Sequence, residues 1–297
     1  MSPHFDDTLG ALFLGHMFSM LLYGVTSLQT WIYFRRYPQD PLVLRSLVLF
    51  LWTIDCLHVV LVTHGVYIYL ITHFGEAIMT LKPTWSLIMI PVVSSISNCI
   101  VRGTFAYRLW KSSGRAILIH IIIVTLSLCI VAFAIFFSVK GFFVSSWSQV
   151  HRYEWAIYAG FSSEMTVNII ITVAQIRLLR RFRTGVRFRS VDALLHTLIV
   201  YSINTCFVTS VCSILGLVLF SALPDGLLYY AFYFVVSKLY LNALLANLNA
   251  RSSLQESLHH PQNSSAEPPT VIGTLSTVTN AGDKPPHDHL DQGCGDV

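Results

Sequence analysis

The stretch that decides the fold class runs from Ile117 to Val139 and reads ILIHIIIVTLSLCIVAFAIFFSV. It contains no Asp, Glu, Lys or Arg, and His120 is its one strongly polar interruption. A helix needs about 20 mostly apolar residues to cross a hydrocarbon core of roughly 30 Å. A helix that is apolar on every side is also unsuited to the surface of a soluble protein. The stretch therefore predicts a transmembrane helix.

Six further segments share this character along the chain. Together with the segment quoted above, they predict seven spans, at roughly 9–34, 46–71, 85–109, 116–139, 153–178, 193–221 and 226–248. The composition agrees, because 54% of the residues are hydrophobic and only 11% are charged, whereas soluble domains carry about a quarter charged residues. We therefore predict an all-α, polytopic membrane protein built as a bundle of seven transmembrane helices.

Basic residues in the connections predict the orientation of this bundle. Most of them follow the first, third and fifth spans and culminate in the Arg-rich loop 177–189, while the other connections offer only Lys82, Lys140 and Arg152. Basic loops are retained on the cytoplasmic side. We expect a short exported N-terminus over 1–8 and a cytoplasmic C-terminus. The modest net charge of +4 gathers in these loops, which favours lipid headgroups over nucleic acid as its partner.

The chain changes character after the last span. Residues 9–250 form the predicted transmembrane domain, and 251–297 are rich in Ser, Thr, Pro and Gly. Such a composition cannot bury a core, so we predict a disordered cytoplasmic tail. The plasma membrane is the expected location, with another endomembrane as the alternative.

Several stretches carry a resemblance to a known family. They are LYGVTSLQT at 22–30, YFRRY at 33–37, WTID at 52–55, HGVY at 64–67, SKLYLNALLA at 237–246 and LNAR at 248–251. In them the chain resembles a large family of multi-span membrane proteins from mushroom-forming fungi, whose function is unknown. The likeness extends over nearly all of the chain to Arg251, with the final spans matching best. It implies a seven-span fold and a fungal source, and it brings no activity.

Polar residues recur near the middle of the predicted spans. A rise of 1.5 Å per residue places Asp55, Glu164 and Lys238 at similar depths, and Asn98 and Asn204 fall at the same level. An ionisable group at the bilayer centre costs at least about 2.5–3.5 kcal/mol, so we expect these side chains to face the bundle interior. His58 lies one turn from Asp55, and Asn242 lies one turn from Lys238. The candidate residues for a ligand site or ion pathway are Asp55, His58, Asn98, Glu164, Asn204, Lys238 and Asn242.

The charges within the spans balance, with Asp55 and Glu164 against Arg102 and Lys238. Mutual pairing is compatible with the sequence, which leaves open which acid meets which base. Arg102 is close enough to the predicted cytoplasmic end to extend its head group to the interface. A buried network that holds the helices together is as compatible with these residues as a ligand or ion site.

We predict a non-enzymatic, receptor-like sensor with a polar site in mid-membrane, and the basic loop 177–189 is a candidate binding site for a cytoplasmic partner. A secondary transporter or channel for a small solute or ion is the alternative. No cofactor is expected. A retinal linked to Lys238 lacks the rest of the microbial rhodopsin pattern, and His58 and His64 are on different helix faces, which disfavours a zinc hydrolase.

Overall fold

The computed structural model describes residues 5–73, 83–113, 117–144, 152–184, 189–222 and 228–259. In these ranges the chain forms seven long α-helices and no strand: α1 Phe5–Arg36, α2 Leu42–Tyr67, α3 Trp85–Ser113, α4 Ile117–Phe142, α5 Glu154–Thr184, α6 Arg189–Ala222 and α7 Leu228–His259. Each contains a segment long and apolar enough to cross a membrane. The prediction of an all-α, seven-span membrane protein is confirmed.

The helices extend beyond several predicted boundaries. α1 begins at Phe5, and α2 is prolonged by a π-helical turn at Ile68–Thr72. α7 continues past Ala250 to His259, so the first residues of the predicted disordered tail are helical. This part of the tail contains good helix formers before Pro261, which would interrupt a helix. Residues 260–297 lie outside the described residues.

Contacts between neighbours show how the helices alternate in direction. Gly15 of α1 meets Ala231 of α7, so these two helices run parallel from the same end of the bundle. Ser138 near the end of α4 donates a hydrogen bond to the carbonyl oxygen of Ile88 near the start of α3. We call the end where α1, α3, α5 and α7 begin the top, and the opposite end the bottom.

Three small residues, Ala11, Gly15 and Ser19, are spaced four apart along the first span. Gly15 and Ser19 are buried, and a Cβ atom on Gly15 would lie 2.5 Å from the Cα of Ala231. Only glycine allows this approach. The seam therefore packs inside the bundle, as small residues commonly do between membrane helices.

Two asparagines of α7 fix its register against α1. Asn242 donates to the carbonyl oxygen of Leu22 at 3.1 Å and accepts a hydrogen bond from Thr26 at 3.0 Å. Asn249, two turns further, donates to the carbonyl oxygen of Gln29 at 2.8 Å. Both partners in α1 are spaced like the asparagines, so a shift along either helix breaks both contacts.

Two apolar clusters fill the bundle interior above and below its middle. The top cluster includes Leu12, Val62, Leu87, Tyr230 and Phe234. The bottom cluster includes Tyr33, Leu51, Val101, Leu244 and Leu248. The four buried charged side chains of the described residues lie between these clusters: Asp55, Arg102, Glu164 and Lys238.

The outward faces of the helices are apolar. On α4, the side chains of Ile117, Leu118, Ile121 and Leu128 are more than half exposed. An apolar surface of this extent on a soluble monomer would promote association. In a bilayer it is the surface that contacts lipid.

Candidate functional site

Asp55 of α2 and Lys238 of α7 form a buried ion pair. Lys238 has no exposed surface and Asp55 is 4% exposed. The Lys238 ammonium donates to Oδ1 of Asp55 and, at 3.1 Å, to the main-chain oxygen of the same residue. It also lies 5.6 Å from the ring centre of Tyr23 on α1. The structure thus joins α1, α2 and α7 through one of the two pairings that the sequence left open.

Arg102 of α3 and Glu164 of α5 form the second pair. Nη2 of Arg102 donates to Oε1 of Glu164 at 2.6 Å and to the hydroxyl oxygen of Tyr240 at 3.0 Å. The guanidinium also stacks over the Tyr240 ring, 4.9 Å from its centre. Arg102 is only 1% exposed, so of the two alternatives left open by the sequence, pairing inside the bundle is the one observed. A carboxylate and a tyrosine compensate it inside the bundle instead.

The second pair continues into a chain of hydrogen bonds. The Tyr240 hydroxyl donates to Oδ1 of Asn168 at 2.6 Å, and the Asn168 amide donates to Thr209 Oγ1 at 3.4 Å. The chain therefore links α3, α5, α7 and α6. Sequence reasoning missed Asn168 and Tyr240, although Asn168 follows Glu164 by one turn and so shares its face.

Among the remaining candidates, His58 and Asn98 are buried. His58 is 2% exposed, and its Nε2 is 3.5 Å from the hydroxyl of Ser237. Its contact with α7 is thus to Ser237 instead of the Asp55–Lys238 pair. Asn98 is 4% exposed and lies one turn before Arg102 on α3. Asn242 belongs to the α1–α7 register contacts described above.

Asn204 was expected to face the bundle interior, and this expectation is wrong, because its side chain is exposed. The buried face of α6 passes through Cys206, Thr209 and Ser213. Successive residues of an α-helix are 100° apart, so a position two residues from Cys206 points to nearly the opposite side. The sequence predicted how deep Asn204 lies in the membrane, but not the side of α6 to which its side chain points.

A cavity of about 80 Å³ lies in the top half of the bundle between α3, α4, α5 and α7. Its wall is rich in aromatic rings: Phe133, Phe137, Phe161, Tyr229, Tyr230 and Tyr233. A single water requires about 10–15 Å³ on this scale, so the space receives part of a small molecule, and the rest extends through the side on which the cavity is open. Pockets that bind small molecules are commonly apolar with a few polar groups in the wall.

The charged group in this wall is Glu164. Its side chain retains 7% of its accessible surface while Oε1 is bonded to Arg102. The cavity thus ends on the second ion pair. One turn above Glu164, Gly160 also lines the cavity, and a Cβ atom there would meet nothing within 4 Å. The absence of a side chain at this position keeps the space open.

The end of α5 and the start of α6, which flank the basic segment 177–189, lie at the bottom of the bundle. α5 continues to Thr184 and α6 begins at Arg189. Residues 185–188 lie outside the described residues, as do the side chains that follow Arg177. Within the side chains that are described, no three His, Cys, Asp or Glu residues come together to hold a metal ion.

The last part of the chain matches a known protein family. Residues 164–253 match the model of a family of unknown function, DUF6534. The matched segment contains Glu164, Asn168, Lys238 and Tyr240, and it leaves out Asp55 and Arg102. No curated protein matches, and no solved structure matches. The resemblance to a family of unknown function is thus confirmed over the final spans, where it was strongest, and the expected fungal source stays a prediction.

Proposed function

We propose that this multi-pass membrane protein is a sensor, in which the cavity receives a small ligand and the Arg102–Glu164 pair transmits its presence. The proposal rests on Glu164, which belongs both to the cavity wall and to the buried ion pair. Its carboxylate lines the cavity and also accepts the 2.6 Å hydrogen bond from Arg102. A ligand that contacts Glu164 therefore acts directly on a buried ion pair.

The hydrogen bonds beyond this pair provide a route for the signal. From Arg102 they pass through Tyr240 and Asn168 to Thr209 of α6. A shift of Glu164 changes the partners of residues on three other helices. Coupling through a membrane bundle requires such a connected set of groups with two arrangements. We propose that the ligand selects between two arrangements of this chain of hydrogen bonds.

The packing below the cavity supports a sensor over a conduit. Tyr33, Leu51, Val101, Leu244 and Leu248 are each no more than 1% exposed and belong to the bottom cluster. They fill the interior on the far side of the ion pairs with apolar side chains. A solute entering the cavity meets this packed region.

A secondary transporter or channel is the second candidate. It is favoured by the Asp55–Lys238 pair, because buried ionisable groups at mid-membrane commonly mark ion and proton pathways. Proton or cation flux into sealed proteoliposomes distinguishes the two functions. Flux that Asp55→Asn abolishes would replace the sensor by the transporter, and impermeable vesicles would support the sensor.

The distribution of basic residues gives this proposal an orientation. The top of the bundle, with the cavity, would face the cell exterior, and the basic segment 177–189 would face the cytoplasm. We propose this segment as the surface where a cytoplasmic partner reads the state of α5 and α6. The plasma membrane is the location that suits such a sensor.

Filling the cavity with a side chain tests the proposal without a known ligand. Gly160→Leu places an isobutyl group in the open space beside Glu164. Gly24→Leu is the matched control, because Gly24 is exposed on α1 and an added Cβ there also meets nothing within 4 Å. Both changes gain the same helix propensity.

Amide hydrogen exchange of both variants in nanodiscs is the measurement. We expect Gly160→Leu to change exchange at the bottom ends of α5 and α6, and Gly24→Leu to leave it as in the wild type. If both variants match the wild type there, the cavity does not communicate with the bottom of the bundle and the sensor proposal fails.

A further inference from the structure

The walls of the cavity restrict the shape and polarity of its ligand. Six of its lining residues are aromatic. Their rings pack edge to face between Phe161 and Tyr233, at 6.4 Å, and tilted between Tyr229 and Tyr230, at 4.7 Å. Such surfaces bind an apolar or aromatic body through dispersion and ring-edge contacts. Most of the ligand must therefore be apolar.

Glu164 adds one acceptor to this apolar space. A carboxylate offers two oxygens with about four lone-pair positions, and the contact from Arg102 engages Oε1. Acceptor capacity remains on a group that lines the cavity. A ligand bound there gains most if it presents one hydrogen-bond donor to this end of the space.

The charges around the cavity determine the charge of the ligand. Arg102 and Glu164 compensate each other, as do Asp55 and Lys238. A cationic ligand would compete with Arg102 for Glu164 and give this buried site a net positive charge, which is disfavoured away from water. An anionic ligand would also be repelled by Glu164. A neutral ligand leaves both pairs intact.

We propose that the cavity binds a small neutral amphiphile, with an aromatic or aliphatic body and one hydroxyl group that donates to Glu164. This inference rests on the proposed function. The shared chemistry is that of a small alcohol or phenol. This assignment deepens the sensor proposal by naming the class of molecule that would be sensed.

Three probes that share a fluorophenyl ring and differ in the polar group on its methyl carbon test this assignment by ¹⁹F NMR on the protein in nanodiscs. They are 4-fluorobenzyl alcohol, 4-fluorotoluene and 4-fluorobenzylamine, which is protonated at neutral pH. Because the probes partition differently into the bilayer, the bound signal that counts is the one lost in Gly160→Leu and retained in Gly24→Leu.

We expect the alcohol to bind at least about tenfold more tightly than the toluene, as a hydrogen bond to a charged acceptor provides. The amine should show no binding that depends on Gly160. Replacing the pair by apolar residues, in Arg102→Met with Glu164→Leu, should abolish the preference for the alcohol, because its hydroxyl group then has no acceptor at this position. This double variant avoids an unpaired buried charge.

The outcomes separate the ligand class from the sensor proposal. If the toluene binds as tightly as the alcohol, or the amine binds more tightly, the proposed class is wrong while the cavity remains a ligand site. If none of the three probes shows binding that depends on Gly160, the proposed class is also wrong. The sensor proposal is then decided separately by hydrogen exchange in Gly160→Leu.

Discussion

Replacing Lys238 by methionine removes the cation that compensates Asp55. The remaining carboxylate of Asp55, which is 4% exposed, is then left inside the bundle at mid-membrane depth without the ammonium group that compensated it. Breaking a buried ion pair by removing one partner costs about 3–5 kcal/mol. Asp55→Asn has the converse effect, because it leaves the Lys238 ammonium with the main-chain oxygen of residue 55 and the ring of Tyr23 as its nearest compensation. We expect a loss in the same range from either change.

The double variant Asp55→Asn/Lys238→Met carries neither charge. Replacing both members of a buried pair by uncharged residues of similar volume is often neutral or stabilising. We therefore expect the double variant to recover at least about 2 kcal/mol relative to the sum of the single changes, which is within the coupling found for residues in contact. The free energy of unfolding in mixed detergent micelles measures all four proteins of the cycle.

Lys140 provides the matched control for this cycle. It is a half-buried lysine near the top of α4, with its ammonium 5.9 Å from the ring centre of Phe136 and 5.8 Å from that of Tyr153. Lys140→Met should cost no more than about 1 kcal/mol and should add to Asp55→Asn without coupling. Single changes at Asp55 and Lys238 that leave stability unaltered, or a cycle that is simply additive, would refute the reasoning.

Three further predictions concern packing and hydrogen bonding, all measured by the same unfolding free energy. Gly15→Val should destabilise by about 1–3 kcal/mol, since its Cβ would collide with the main chain of Ala231, whereas Gly24→Val, where the space is open, should stay within about 1 kcal/mol of the wild type; equal effects would contradict the close contact. Tyr240→Phe removes a donor and an acceptor from a buried chain of hydrogen bonds and should cost about 1–3 kcal/mol, so an unaffected variant would contradict that chain. Asn204→Ala should change stability by less than about 0.5 kcal/mol because the side chain is exposed. A large loss of stability would indicate that the Asn204 side chain faces the bundle interior.

The spans could be predicted from the sequence because bilayer thickness sets the length of each apolar stretch. Residues 117–139 show this best, as their helix begins at Ile117 and ends at Phe142. Depth along each span follows from the same counting, and it grouped Asp55 with Lys238. The burial of both residues then follows from the cost of exposing a charge to lipid.

Rotation about the helix axis could not be predicted in the same way. Asn204 has the right depth and the wrong face, and an apolar span carries little periodicity to reveal its buried side. On α6 the buried and exposed faces differ mainly in small polar residues such as Thr209 and Ser213. These are compatible with either lipid or protein contact.

The partners of Arg102 were also beyond the sequence. Its distance to the predicted interface suggested an exposed head group, and only the approach of α5 and α7 brings Glu164 and Tyr240 to it. The cavity is likewise a property of four helices together. A single glycine at position 160 indicates no opening until its neighbours are placed.

If the cavity acts through the Arg102–Glu164 pair, removal of the pair should uncouple the cavity from the bottom of the bundle, and an exchange experiment can measure this. Gly160→Leu is introduced into the wild type and into the variant Arg102→Met/Glu164→Leu, and amide exchange at the bottom ends of α5 and α6 is compared. We expect filling the cavity to change exchange in the first background and to have no effect in the second. An equal change in both backgrounds would contradict this expectation, because the cavity would then act on the bottom of the bundle without the ion pair.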